Sequence, residues 1–141
     1  MSVLALDVGE RRIGVAVSDP ARHYALPVGV IDRTNLQADL KEIAAYLQSY
    51  DAQELVVGDP VTLRGERGFA AEKIDRFVGR LAEIFHGPIH RVDERLTTAA
   101  ATKTLIAADV SRSKRKRVVD KLAAALILEA FLARRRLGSD A

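Results

Sequence analysis

SVLALDVGERRIGVAVSD, residues 2–19, decides how this chain folds. Residues 2–8 are short and apolar apart from Ser2 and Asp7, and Gly9 follows them, which is the pattern of a buried strand. The next run, Ile13–Gly14–Val15–Ala16–Val17–Ser18, alternates large with small and is closed by Asp19–Pro20. The link between them, Gly9–Glu10–Arg11–Arg12, has hairpin length. Residues 24–31 (YALPVGVI) give a third strand, and Pro27, which cannot donate to a ladder, assigns it to an edge. The chain therefore opens as three strands in meander order.

Beyond this meander, Thr34 is the expected cap of a helix whose apolar residues Leu36, Leu40, Ile43, Ala44 and Leu47 recur at helical spacing. Leu55 to Gly58 is a fourth strand, ended by Asp59–Pro60. A second helix carries Ile74, Phe77, Val78, Leu81 and Phe85 and is expected to stop at Gly87–Pro88. Ile89 to Asp93 reads as strand five, followed by a helix from about Thr98 to Ala108. A last helix, capped by Ser113, runs to Leu137–Gly138. The order βββαβαβαα predicts an α/β protein of RNase H-like type: a five-stranded mixed sheet, order 3-2-1-4-5, flanked by helices. No repeat, linker or low-complexity stretch divides it, so residues 1–141 are expected to form a single domain.

The chain has no cysteine, which excludes disulfide scaffolds, thiolate metal sites and cysteine nucleophiles. Asp7 interrupts the first apolar run, and the longest one, Leu122 to Leu128, is far too short for a bilayer. The expectation is a cytoplasmic protein with no membrane partner. Net charge is only +3, but residues 111–136 hold nine Lys or Arg against Asp120 and Glu129. Such a basic segment on a near-neutral chain points to a polyanionic partner, nucleic acid in particular.

Three acids stand out. Asp7 shares a strand face with Val3 and Ala5, where a carboxylate is costly unless paired or metal-bound. A turn-capping role at Gly9, or pairing with Arg11 or Arg12, is the structural alternative. On the last helix Asp120 falls within ~40° of Ala124, Ile127 and Phe131, so it prolongs the core-facing stripe, whereas Glu129 points the opposite way. Pairing with Lys116 or Lys121 would also account for it. Glu94 closes strand five beside Asp93, and position alone does not separate the two. Strand five should lie two places from strand one, ~10 Å away. Two ions ~3.5–4 Å apart with metal–oxygen bonds of ~2.0–2.1 Å fit that span.

At these residues the sequence resembles the YqgF/RuvX family, described both as Holliday junction resolvases and as pre-16S rRNA nucleases. Four blocks carry the resemblance: Asp7–Val8–Gly9 with Arg12–Ile13–Gly14–Val15–Ala16–Val17–Ser18–Asp19; Val56–Val57–Gly58 with Pro60; Asp93–Glu94–Arg95–Leu96–Thr97–Thr98; and Lys116 through Leu128. The resemblance implies an RNase H-like fold with catalytic, metal-binding acids at Asp7, Glu94 and Asp120, and it selects Glu94 over Asp93. Two departures accompany it. Related RuvC-type enzymes carry a pair of acids on the last helix, whereas Lys116, Ala123 and Ala124 surround Asp120 here. Asp59 replaces the usual apolar residue before Pro60; it is either a fourth ligand or a turn-former.

The expected reaction is Mg²⁺- or Mn²⁺-dependent hydrolysis of phosphodiester bonds in branched DNA, in precursor rRNA, or in both. Arg11, Arg12, Thr97, Lys114, Arg115, Lys116 and Arg117 are the expected nucleic-acid contacts, and His90 is a candidate proton shuttle or a structural histidine. Only seven Phe and Tyr exist and none interleaves with the basic run, which predicts recognition of duplex, junction or folded RNA rather than stacking on single strands. A homodimer is expected if junction strands are cut in symmetric pairs. The competing reading is a non-catalytic RNA- or protein-binding module on the same fold.

Overall fold

Strand β1 (Ser2–Val8) is the middle of the sheet because almost all of it is apolar and both its faces can be covered. Val3, Leu4, Ala5 and Leu6 are fully buried. It pairs antiparallel with β2 (Arg12–Ser18), which pairs antiparallel with β3 (Ala25–Asp32). On its other side β1 runs parallel to β4 (Ala52–Asp59), and β4 runs parallel to β5 (Ile89–Asp93). The order is β3-β2-β1-β4-β5, as the meander and the strand–helix units predict. Pro27 lies on the edge strand, where the β2–β3 register shifts between Val15 and Ala16.

The computed structural model describes residues 2–19, 21, 24–60, 68–93 and 113–139, and for 113–119 and 139 the backbone alone. Helices α1 (Leu36–Ser49) and α2 (Phe69–Ile84) cover one face. Their core contains Leu4, Leu6, Ile13, Val15, Leu55 and Val57 from the sheet and Ile43, Ile74, Phe77 and Leu81 from the helices. The long helix α3 (Ser113–Ser139) covers the other face, where Val3, Ala5, Ala16, Val56 and Val92 meet Ala123, Ala124, Ile127, Leu128 and Leu132. Strand alternation divides each strand between these two cores. The α3 side is rich in alanine, so the helix backbone lies close to the sheet.

Some element ends differ from expectation. The side chain of Asn35, not Thr34, caps α1 by accepting from the N–H of Ala38. Helix α2 ends at Ile84, ahead of Gly87–Pro88, because Phe85 is already extended. The helix expected over 98–108 lies outside the described residues. No described helix is long and apolar enough to cross a membrane.

Candidate active site

Because β1, β4 and β5 are parallel, their C-terminal ends share one rim, the usual place for a site in an open α/β sheet. Asp7 stands on that rim, only 2% exposed. Alternation from Val3 and Ala5 turns it toward α3, as the sequence predicts. Its cross-strand partner is Gly14.

Gly14 brings the second acid to the first. A Cβ built on Gly14 would overlap the carbonyl oxygen of Asp120 and lie 2.6 Å from its carbonyl carbon. The backbone of α3 at Asp120 is thus seated on the residue opposite Asp7, so two acids more than a hundred residues apart lie at the same end of one sheet face. The helical-wheel reading of α3 holds: Ala124 and Ile127 are buried, Asp120 and Phe131 are half-buried, and Glu129 is exposed.

Lys121 is not the partner of Asp120, and the side chain of Lys116 lies outside the described residues. Arg12 Nε donates to Asp120 Oδ2 at 2.8 Å. Arg12 precedes Gly14 by two residues on β2, so both lie on the α3 face. Arg12, expected to contact nucleic acid, is engaged with an acid of the site itself. Arg11 is exposed at the hairpin tip.

The turn after Asp7 is held from the other face by Arg33, a residue the sequence reading missed. Its backbone N–H donates to Arg11 O and its Nη1 to Gly9 O, both at 2.9 Å. Its Nε donates to Asp39 Oδ2 at 3.1 Å, and its guanidinium lies 5.3 Å from the centroid of Phe77. Asp39, 1% exposed, also accepts from the Thr34 N–H. The wheel argument used for Asp120 finds Asp39 too, about 40° from Ile43 on the buried side of α1.

Asp59 is not a fourth member of this site. It lies one residue past Gly58 on β4, on the face of Leu55 and Val57, opposite to that of Asp7. Arg91 Nη2 donates to it at 2.8 Å while Nη1 donates to Asp75 of α2 at 2.9 Å. Asp93 shares that face with Ile89 and Arg91 and pairs in register with Asp59. His90 faces α3 but is engaged away from Asp7: its Nε2 is 3.0 Å from Glu54 Oε1 and its ring packs 4.8 Å from that of Phe131.

Glu54 anchors α3 to the sheet. Arg135 donates to both its oxygens, at 2.6 and 2.7 Å. This fork holds the Glu54 carboxyl down at about 2, with burial opposing and His90 adding to the effect. A depressed carboxylate stabilises the fold above its ordinary value of 4.5 and loses that contribution as pH falls toward about 2. Glu54→Gln is therefore expected to lower stability by about 1–2 kcal/mol at neutral pH. Chemical denaturation should show the gap to wild type closing between pH ~4.5 and ~2; a pH-independent gap would assign the loss to packing.

Glu94 and Thr97 lie outside the described residues. Lys114, Arg115, Lys116 and Arg117 occupy the first turns of α3, and their side chains lie outside the described set as well. Among the described residues no three Asp, Glu or His side chains gather as a metal site. The donors that are described, Asp7 and Asp120, are carboxylates on a shared face, and hard oxygen donors suit Mg²⁺ or Mn²⁺. A cleft of about 1110 Å³ opens at this rim, lined by Asp7, Gly9, Arg33 and the flank of α2.

Comparison with known proteins follows the same lines. The chain is 43% identical over 132 residues to a Desulforamulus reducens protein named "Putative pre-16S rRNA nuclease", covering 94% of this chain and 96% of that one. A Heliobacterium modesticaldum protein of the same name is 46% identical over 132 residues, covering 94% and 89%. Among solved structures, Thermus thermophilus RuvC in complex with a Holliday junction substrate superposes with a TM-score of 0.63. It covers 99% of this chain and 97% of that one, but at 14% identity it shares the fold alone. The family model described as RuvX, Holliday junction resolvase, matches residues 1–134, from the first strand into the last turns of α3, and the chain belongs to that family.

Proposed function

We propose that this chain is a metal-dependent endonuclease that hydrolyses phosphodiester bonds in structured nucleic acid. One observation carries the reading: Asp7 is buried on the α3 face directly across from the glycine on which the Asp120 backbone sits. A buried carboxylate there is costly to a module that only binds, and it is the donor that metal-dependent hydrolysis uses. Precursor 16S rRNA is the substrate favoured by the names of the relatives, and branched DNA is the second reading, favoured by the family description.

Asp7 and Asp120, with Glu94, would hold Mg²⁺ or Mn²⁺. Bound there, such ions supply Lewis acidity to an attacking water and to the leaving oxygen. The protein's own part is positioning. Strand β1 and the Arg33-tied turn fix Asp7, and Arg12 fixes the carboxylate of Asp120. The basic start of α3 would hold flanking phosphates without reading sequence. The working unit in this proposal is a single nuclease domain, residues 1–141, acting in the cytoplasm and dimerising where junction strands are cut in pairs.

The test sets purified protein on a four-way DNA junction and on a structured rRNA precursor, side by side. Cleavage of at least one is expected with Mg²⁺ or Mn²⁺, with loss in EDTA and recovery on adding Mn²⁺ back. Binding of either substrate without any cleavage under those conditions would instead establish the non-catalytic module.

A further inference from the structure

The outer flank of α2 carries residues that the assigned site does not use. Phe69, Lys73, Arg76 and Arg80 follow one another at intervals of four, three and four, which puts them within ~60° of each other on the helix. All four line the cleft, whose rim includes Asp7. They extend ~16 Å along the helix axis. Phe69 is 70% exposed, an unusual position for a phenyl ring, and Lys73 Nζ lies 5.2 Å from its centroid. Arg33 also lines the cleft, and the acids of the lining are Asp7, Glu10 and Glu83. Glu10 is 3.8 Å from Lys73, and Glu83 accepts from Arg80 at 3.1 Å.

We infer that this flank of α2 is a track for one unpaired nucleic-acid strand, which continues from the Asp7 site along Lys73, Arg76 and Arg80 and stacks a base on Phe69. The inference rests on the nuclease reading for its starting point at Asp7. Cations along a groove with an aromatic platform are the recurring means of holding single strands, because every base has a face to stack and every nucleotide a phosphate. Stacking on Phe69 requires a base freed from pairing, so the track selects a tail over a duplex. This departs from the expectation of no stacking surface. The basic run of α3 lacks aromatics, but a second set of cations on α2 begins with one, and helical spacing hides it from a linear search.

The test is fluorescence anisotropy in EDTA, where nothing is cut. The probes are a blunt RNA duplex and the same duplex with a single-stranded tail, each also made as DNA. The triple variant Lys73→Ala, Arg76→Ala, Arg80→Ala should bind the tailed probe about tenfold or more weakly. Its slope of log affinity against log salt should fall by about 2, from three phosphates at ~0.7 each. Phe69→Ala should weaken tail binding about fivefold to a hundredfold. Neither variant should change affinity for the blunt duplex, and all four side chains are exposed, so melting should be unaltered. Loss on both tails, or on the RNA tail alone, supports the track and says which backbone it takes. Equal losses on blunt and tailed probes, or none on the tail, overturn it. Because no turnover is read, a wild type that never cuts would leave the track standing. A wild type that cuts while these variants bind tails normally would remove the track and keep the nuclease.

Discussion

Asp7→Asn is expected to lower the cleavage rate at least about a thousandfold while leaving nucleic-acid affinity close to that of wild type. The size follows from the several kcal/mol that metal-assisted stabilisation contributes, at 1.36 kcal/mol per tenfold in rate. The substitution keeps the shape of the side chain and removes its charge, so the strand and its burial are preserved. Burying an amide costs less than burying a carboxylate, and the metal-free variant should melt at or above the wild-type temperature. The two proteins should then separate on adding Mn²⁺. A ligand that binds only the native state at a hundred times its Kd adds ~2.7 kcal/mol, a gain that wild type should show and the variant should largely lose. Wild-type rates from Asp7→Asn would remove this residue from the chemistry and with it the proposed site.

The second large effect is expected from adding one methyl group at Gly14. Gly14→Ala places a carbon where the carbonyl of Asp120 already lies, and the obstacle is helix backbone that cannot rotate aside. Either α3 lifts or the strand bends. Overpacking of this kind costs about 1–3 kcal/mol, at times more, or a melting temperature roughly 3–12 °C lower for a chain of this length. Activity should fall further than stability, because lifting α3 by ~1 Å draws Asp120 away from its β2 partner Arg12 and out of position, and a misplacement of that size costs about a hundredfold. Gly79 provides the internal control. It lies on α2 with nothing within 4 Å of an added Cβ, so Gly79→Ala should stabilise by about 0.5–1 kcal/mol. The same chemical change is thus expected to have opposite signs at two glycines. Gly14→Ala as stable and active as wild type would mean that α3 is not seated there.

The contrast between these glycines shows where reading a chain residue by residue stops. Both are glycines within regular elements, and nothing local separates them; the difference is made by α3, which begins about a hundred residues after Gly14. The Arg12–Asp120 pair, 108 residues apart, was hidden for the same reason, and the expected partners of Asp120 were its helical neighbours. Asp59 was legible as an unusual acid beside Pro60, but the face it occupies follows from strand parity and from the reach of Arg91. Phe69 carries no signal of its own in the sequence; its exposure depends on how α2 lies over the sheet.

The edge position of β3, the burial of β1 and the inward side of Asp120 followed from local patterns, because alternation and helical periodicity depend on near neighbours and on the exclusion of apolar groups from water, and the strand order followed from the RNase H-like layout that the succession of elements suggests. The seating of α3 on Gly14, the anchoring of the Asp7 turn by Arg33 and the cleft along α2 required the assembled molecule. Each is a contact between segments far apart in the chain, and such contacts come into being only when the sheet sets its layers at definite distances and the side chains between them have to fit.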